Sequence, residues 1–139
     1  MSDEDNELQE IVLEDACRIY SETVIDHFMH PRNMGVLSDE DGYARITGPC
    51  GDAMEMWIKE QQGSIVRANF MTDGCGTSIA SGSMATVLAT GKTLAEAQQI
   101  NQQTILEDLN GLFAESQHCA LVAANTLKAA VQDYLAKRR

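Results

Sequence analysis

The spacing of apolar side chains near the N-terminus is that of an amphipathic helix. Between residues 8 and 29 such side chains recur three and four positions apart, the period of one buried helix face. Pro31 follows soon after, and proline can neither continue the backbone hydrogen bonds of a helix nor favour a helical residue before it. The pattern predicts a long helix over residues 8–29, preceded by a disordered acidic tail over residues 1–7.

Three segments with strand character come next. Residues 43–47 form a short candidate, residues 53–59 alternate Met54, Met56 and Ile58 with other side chains, and residues 65–72 are rich in β-branched and aromatic types. The sequence Gln-Gln-Gly-Ser at 61–64 is typical of a hairpin turn. Three antiparallel strands are therefore predicted. Trp57 falls between Met56 and Ile58, so it is expected to face outward, either as plain surface or as part of a partner surface.

The rest of the chain is helical in pattern. Residues 77–90 form one candidate with Gly91 as its C-terminal glycine, and Thr93 with Glu96 has the spacing of a capping box for a short helix. Residues 104–111 are a further short candidate, and a long helix starts near Gln117. The expected fold is a single α+β domain over residues 1–139, with a three-stranded antiparallel sheet packed by four to five helices, of which the N- and C-terminal ones are long.

Composition restricts the function classes. Hydrophobic residues make up 44% of the 139 residues, enough for the core of one domain, and the net charge is -11. That charge repels phosphate backbones, so no nucleic acid is expected as a partner. No apolar run approaches the about 20 residues that span a bilayer, and the N-terminal residues do not resemble a secretion signal. We expect a cytoplasmic protein with no membrane association, although a processed organellar protein would look the same.

The candidate chemistry lies in the cysteines. Cys17 falls on the first predicted helix and is interpreted as an ordinary core or surface residue. Cys50, Cys75 and Cys119 instead fall at the ends of predicted elements, where loops converge. A hairpin of two equal strands brings the start of one strand beside the end of the other, so Cys50 and Cys75 are expected close together. In a reducing compartment, such thiols are more often metal ligands or catalysts than disulfides.

The surroundings of these cysteines favour thiolates. Glycines flank Cys50 and Cys75, and they let backbone amides approach an anion closely. Cys75 and Cys119 each precede or begin a predicted helix, whose N-terminal field stabilises a thiolate. Three thiolates with Asp52 or His118 as a fourth donor would suit a tetrahedral zinc ion or an iron–sulfur cluster. The residues alone leave both open.

Four motifs in the same order resemble the IscU/NifU-type iron–sulfur cluster assembly scaffolds. The likeness extends over residues 18–136. The motifs are residues 20–35 with Val24, Asp26, His27 and Pro31-Arg32-Asn33; Gly48-Pro49-Cys50-Gly51-Asp52; Thr72-Asp73-Gly74-Cys75-Gly76 followed by Ile79-Ala80-Ser81-Gly82-Ser83; and His118-Cys119 followed by Leu121.

The resemblance implies a scaffold and carrier rather than an enzyme. A labile [2Fe–2S] cluster would be assembled from iron and persulfide sulfur and transferred to apoproteins. Cys50, Cys75 and Cys119 would be its ligands, Asp52 and His118 would compete for the fourth position, and zinc could occupy the same site. Cys119 would accept the persulfide sulfur. The implied partners are a cysteine desulfurase and apo iron–sulfur recipient proteins, with an iron donor or regulator and a ferredoxin as further candidates.

Two comparisons qualify this resemblance. Many such scaffolds carry Leu-Pro-Pro-Val-Lys before the His-Cys pair, whereas this chain has Leu-Phe-Ala-Glu-Ser-Gln at 112–117, which puts in doubt an Hsp70-type chaperone as a partner. SufU-type relatives have an insertion between the second and third cysteines, for which the 43 residues between Cys75 and Cys119 are too few. Besides the scaffold, two alternatives stay open: a zinc-dependent sulfur acceptor and desulfurase activator of the SufU kind, and a plain structural-zinc domain.

Overall fold

A computed structural model describes residues 20–49 and 51–137 of the chain. Five α-helices, one 3₁₀ turn and three strands are found in these residues. In chain order they are α1 (Glu22–Met29), β1 (Gly42–Thr47), β2 (Ala53–Gln61), β3 (Ser64–Thr72), α2 (Gly76–Ala89), α3 (Leu94–Gln98), α4 (Gln102–Asp108), the 3₁₀ turn (Ala114–Ser116) and α5 (Gln117–Lys137).

The three strands form one antiparallel sheet in the order β1-β2-β3. Tyr43 pairs with Trp57 across the first two strands, and Met54 pairs with Thr72 across the second hairpin. One irregularity in register lies between Lys59 and Glu60, next to the turn of that hairpin. The α+β fold expected from the sequence is confirmed, and the long C-terminal helix starts at Gln117 as predicted.

One face of the sheet carries the hydrophobic core. Helix α5 packs on β1 and β2, and α2 packs on β3. The largest fully buried side chains come from the strands and from α4 and α5, among them Phe70, Met54, Met56, Ile58, Ile65, Ile105 and Leu127. Helix α2 contributes small residues instead: an added Cβ at Gly82 would lie 2.5 Å from the Phe70 ring. Glycine at that position lets the helix lie directly on the aromatic side chain.

Trp57 corrects one expectation. Its position opposite Met56 and Ile58 in the alternation does place it on the other face of the sheet. However, the side chain is only 6% exposed, and its ring lies 5.4 Å from that of Tyr43 on the neighbouring strand. The expectation of an outward-facing tryptophan was therefore wrong: alternation gives the face on which a side chain lies, and cross-strand packing decides how much of it solvent reaches.

The first helix also differs from its predicted extent. Ser21 has an extended backbone and its hydroxyl accepts the Val24 amide hydrogen at 3.1 Å, so helix α1 begins at Glu22. The predicted helix over residues 8–29 is thus not continuous through Tyr20 and Ser21, since a capped serine starts a new helix there. Residues 8–19, Cys17 and the tail over residues 1–7 lie outside the described part of the chain.

The segment after α1 ties this helix to the rest of the fold. The Ser83 hydroxyl on α2 accepts the Arg32 amide hydrogen at 2.9 Å and lies 2.7 Å from the Nδ1 atom of buried His27. Asn33 takes a left-handed backbone conformation, with φ of 61°, and its carbonyl accepts the Phe70 amide hydrogen at 3.0 Å. The segment His-Pro-Arg-Asn at 30–33 therefore links α1 to α2 and to the edge strand β3 through hydrogen bonds.

The shorter helices fit the capping expectations with one shift. Thr93 and Glu96 form the predicted capping box at the start of α3. Helix α4 starts two residues earlier than expected, because Asn101 caps it and Thr104 occupies the third position within the helix. In the described residues, no helix is both long enough and apolar enough to cross a membrane.

The buried histidine gives a pH prediction. Burial lowers the pKa of His27, and the Arg32 guanidinium lowers it further. Unfolding frees this imidazole to bind a proton near its ordinary pKa of about 6.5, so the unfolded state gains protons first as the pH falls. We expect the free energy of unfolding to decrease below about pH 6.5, and His27→Gln to weaken that dependence. Urea unfolding between pH 5 and pH 8 measures both.

Exposed His30 lies three residues away and supplies the matched control. His30→Gln should keep the pH dependence of the wild type. If His27→Gln and wild type lose stability in parallel as the pH falls, the buried imidazole does not contribute.

Candidate functional site: a cleft beside Cys119 at the open end of the hairpin

Three separate pieces of chain meet beside the open end of the β2–β3 hairpin. They are residues 48–49 and 51–52 before β2, the turn at 73–75, and the start of α5. The Asp73 carboxylate accepts the Ala53 amide hydrogen at 2.8 Å, and the Thr72 hydroxyl donates to the Ala53 carbonyl at 2.8 Å. These two bonds hold the loop beside the turn. The resulting cleft is lined by Gly48, Asp52, Ala53, Met54, Thr72, Ser78, His118, Cys119 and Val122.

Glycines shape both turns. Gly51 has a φ of +90°, which favours glycine, and its amide donates to the Gly48 carbonyl at 3.0 Å. An added Cβ at Gly74 would lie 2.5 Å from the Ser78 hydroxyl oxygen and 3.1 Å from the Asp52 carboxylate. Gly74 thus lets the turn pass between these two polar groups. Cys50 lies outside the described residues, so its closeness to Cys75 stays a prediction.

Cys75 is the exposed sulfur of the site. It is the N-cap residue of α2, and its Sγ atom lies 3.1 Å from the Thr77 hydroxyl. That hydrogen bond lowers the pKa of the Cys75 thiol, and the Ser78 and Thr77 backbone amides act in the same direction, against the opposing effect of partial burial. Cys75 therefore carries more thiolate at neutral pH than a free cysteine, as expected at a helix N-terminus.

Cys119 is the buried sulfur of the site. It is 3% exposed and lies in the first turn of α5. The Ser78 hydroxyl donates to its Sγ atom at 3.4 Å, and the Thr77 hydroxyl lies at the same distance from it. The His118 Nε2 atom is 3.7 Å away. The two cysteines thus differ in solvent access while both lie beside the Thr77 hydroxyl.

The structure brings together most of the residues singled out from the sequence. Asp52, His118 and Cys119 line one cleft, and Cys75 joins them through Thr77. Within residues 20–49 and 51–137, no three His, Cys, Asp or Glu side chains are close enough together to hold one metal ion. Ligation by three or more groups would therefore draw on Cys50 or on rotation of side chains.

Two site residues were not singled out from the sequence. Thr77 and Ser78 were treated only as the start of a helix, yet their hydroxyls contact both described sulfurs of the site. A signal was available, because residues two and three positions after a cysteine N-cap face back toward it in the first turn. The thiols, together with the harder donors Asp52 and His118, make a site suited to thiophilic metals, and the Thr77 and Ser78 hydroxyls contact its sulfur atoms.

The segment before His118 packs without the prolines of the motif discussed above. Leu112 is buried, and its carbonyl accepts a hydrogen bond from the Gln117 side chain at 3.2 Å. Phe113 is half-exposed and makes an edge contact with Tyr20, with ring centroids 5.6 Å apart. The 3₁₀ turn then leads directly into α5. The segment that leads to Cys119 is therefore held by Phe113 and Gln117 contacts and contains no proline.

The difference between the two sulfurs gives a reactivity prediction. Exposed Cys75, with its lowered pKa, should be alkylated by iodoacetamide at neutral pH at least about 10-fold faster than buried Cys119, because the thiolate is the nucleophile and the reagent must reach it. Timed quenching and peptide mass spectrometry measure the two rates in one sample. In urea the rates should converge. Equal rates in the folded protein would contradict the difference.

Known proteins with similar sequences match most of this chain. The chain is 44% identical to the iron–sulfur cluster assembly scaffold protein IscU of Escherichia coli over 124 residues, covering 86% of this chain and 96% of that protein. It is 42% identical over 120 residues to an iron–sulfur cluster assembly scaffold protein IscU of Archaeoglobus fulgidus, covering 86% of this chain and 78% of that protein.

Solved structures match the fold. A nitrogen-fixing NifU-like protein from Brucella abortus superposes with a TM-score of 0.68 at 17% identity, covering 86% of this chain and 96% of that one. A putative iron–sulfur cluster assembly scaffold protein for the SUF system from Fervidobacterium islandicum gives 0.69 at 21% identity, covering 82% and 97%.

The sequence profile of one family, described as the NifU-like N terminal domain, matches residues 19–139. That range takes in the cleft beside Cys119, the hairpin and all five described helices. With the identities to the IscU proteins, the match shows that this chain belongs to the IscU/NifU family of scaffold proteins.

Proposed function

We propose that this protein is a scaffold on which a [2Fe–2S] cluster is assembled and then passed to apoproteins. The observation that carries the proposal is the convergence of Cys75 and Cys119 on the Thr77 hydroxyl, beside a cleft lined by Asp52 and His118. Family membership supports it, since the curated relatives are named as iron–sulfur cluster assembly scaffolds. The protein is a carrier of iron and sulfur, with no turnover of its own.

Cys50, Cys75 and Cys119 are the proposed ligands, with Asp52 and His118 competing for the fourth position. Soft thiolates suit iron and zinc alike, so zinc can occupy the same site. The support from geometry is that Cys119, Asp52 and His118 share a cleft and that the Cys75 turn lies against Asp52 across Gly74. A ligand set with one harder donor favours release over permanent storage.

Cys119 is the proposed acceptor of sulfur. Its thiolate attacks the terminal sulfur of a persulfide on a cysteine desulfurase; the new S–S bond forms on Cys119 and the desulfurase cysteine leaves as a thiolate. Two such sulfur atoms become two sulfides by taking up four electrons. Oxidation of two ferrous ions to ferric supplies two of these, and a reductant such as a ferredoxin supplies the other two.

The remaining proposed partners follow from this chemistry. An iron donor or regulator delivers the metal, and apo iron–sulfur proteins receive the cluster. The segment before His118 lacks the chaperone motif Leu-Pro-Pro-Val-Lys, which argues for release that does not depend on it. Because the site needs free thiols, we place its activity in a reducing compartment such as the cytoplasm.

The loading experiment tests the proposal directly. The protein is incubated without oxygen with ferrous iron, cysteine and a cysteine desulfurase, and its visible absorption is recorded. We expect a charge-transfer chromophore that disappears in Cys50→Ser, Cys75→Ser and Cys119→Ser, because each removes one thiolate ligand. Ser21→Ala, away from the site, should keep it.

Other results would contradict the scaffold. Persulfide on Cys119 with retained zinc and no chromophore would indicate a sulfur acceptor that activates the desulfurase. Neither sulfur uptake nor a chromophore would leave a structural-zinc domain.

A second prediction concerns release. Asp52→Ala should lengthen the lifetime of the loaded cluster, because it removes the hard, readily exchanged donor through which an incoming acceptor displaces the cluster. Decay of the visible absorption in the presence of a chelator measures the lifetime. Asp73→Asn is the matched control, since it removes a nearby charge but keeps an oxygen to accept the Ala53 amide hydrogen. Equal lifetimes in Asp52→Ala and wild type would exclude a role for Asp52 in release.

A further inference from the structure

One hydroxyl group links the two described sulfurs of the site. The Thr77 Oγ1 atom lies 3.1 Å from the Cys75 Sγ atom and 3.4 Å from the Cys119 Sγ atom. These cysteines are 44 positions apart in the sequence and belong to different helices. A hydroxyl has one hydrogen to donate and two positions at which it accepts. It can therefore bond to both sulfurs at once, donating to one and accepting from the other.

The position of this hydroxyl is fixed by packing. Thr77 is 5% exposed, so the atoms packed around its side chain restrict its rotamer. The residue before it, Gly76, lies under the Phe28 ring, which an added Cβ would approach to 2.9 Å. The Ile79 amide donates to the Cys75 carbonyl at 3.0 Å, which closes the first turn of α2 around Thr77. The side chain is therefore built into the site and does not simply cap a helix.

Neighbouring Ser78 supports the same site less evenly. Its hydroxyl donates to Cys119 at 3.4 Å and packs against Gly74, and its effect on the pKa of the Cys75 thiol is smaller than that of the Thr77 hydroxyl. Thr77 lies within hydrogen-bond distance of both sulfurs. The two residues together give Cys119 two hydroxyl neighbours, while Cys75 has the Thr77 hydroxyl at the shorter distance.

We propose that Thr77 is a positioning residue of the cluster site: its hydroxyl sets the spacing of the Cys75 and Cys119 sulfurs and donates a hydrogen bond to a ligand sulfur in the loaded protein. The inference rests on the proposed function. Groups that hydrogen-bond to metal ligands orient them, and hydrogen bonds to cluster sulfurs raise the reduction potential by stabilising the more negative, reduced state. Thr77 therefore tunes both how firmly the cluster is held and how easily it is reduced.

Three variants test this proposal. Thr77→Val keeps the shape of the side chain and removes the hydroxyl, and Thr77→Ser restores the hydroxyl. Thr126→Val is the matched control: Thr126 is also a buried threonine, on α5, but its hydroxyl donates to the Val122 carbonyl in its own helix at 2.7 Å. Thermal unfolding of the cluster-free proteins verifies that all three are folded.

The first readout is the affinity of the cluster-free protein for Co²⁺, measured from the sulfur-to-metal charge-transfer absorption. We expect affinity to fall about 10-fold or more in Thr77→Val and to return to near the wild-type value in Thr77→Ser. The second readout is the loaded cluster, which should have a more negative midpoint potential and a shorter lifetime in Thr77→Val. Thr126→Val should match the wild type in both, whatever its thermal stability.

The two proposals fail in different ways. If wild type and Thr77→Val load alike, with the same Co²⁺ affinity, potential and lifetime, the role of Thr77 is refuted while the scaffold stands. Failure of Thr77→Ser to restore the Co²⁺ affinity would also refute it, since the effect would then not come from the hydroxyl. A wild-type protein that binds Co²⁺ but forms no cluster refutes the scaffold, and the Co²⁺ affinities still decide on Thr77. A wild-type protein that takes up neither refutes both.

Discussion

The site depends on how the open end of the β2–β3 hairpin is closed. Ala53 is held from both sides, by the Asp73 carboxylate at its amide and by the Thr72 hydroxyl at its carbonyl. These side-chain bonds reinforce the end of the strand pairing, where the Asp73 amide also donates to the Ala53 carbonyl at 3.4 Å. The loop before β2 and the turn after β3 are thereby brought together, and the start of α5 completes the cleft from above the sheet. Without these bonds, Asp52 before β2 and Cys75 after β3 would not be held close to each other.

The same arrangement makes the two described sulfurs unequal. Cys75 stands at a solvent-facing helix start, while Cys119 is covered by α2 hydroxyls. In the proposed role as a cluster carrier, an exposed Cys75 would be open to ligand exchange, while a covered Cys119 would be shielded from it. Helix α2, which creates this difference, is rich in alanine, serine, threonine and glycine. Small residues allow α2 to approach both α5 and the sheet closely enough for its hydroxyls to reach sulfur.

Much of this could be predicted from sequence because the signals are local. Alternation and the Gln-Gln-Gly-Ser turn predicted the hairpin, and Thr93 with Glu96 predicted the capped helix α3. The glycine-flanked turn before a helix pattern placed Cys75 correctly at a helix start.

The features that local patterns could not predict depend on contacts between residues far apart in the sequence. Trp57 is buried by Tyr43 on another strand, and Thr77 meets Cys119 only after α2 and α5 have packed. The start of α1 was missed because the apolar spacing in the sequence continues through Ser21, and only the cap shows that the helix starts there.

The left-handed backbone of Asn33 also protects the exposed edge of the sheet. Through it, residues 33–35 exchange backbone hydrogen bonds with Phe70 on β3, and residues 91–94 do the same with Ile65 and Gly63 near the other end of the hairpin. Strand β3 lies at the edge of the sheet, and an open edge is a template on which strands of other molecules can add. Two loops thus occupy donors and acceptors at both ends of this edge. Both loops in this way protect the sheet from edge-to-edge aggregation with other molecules.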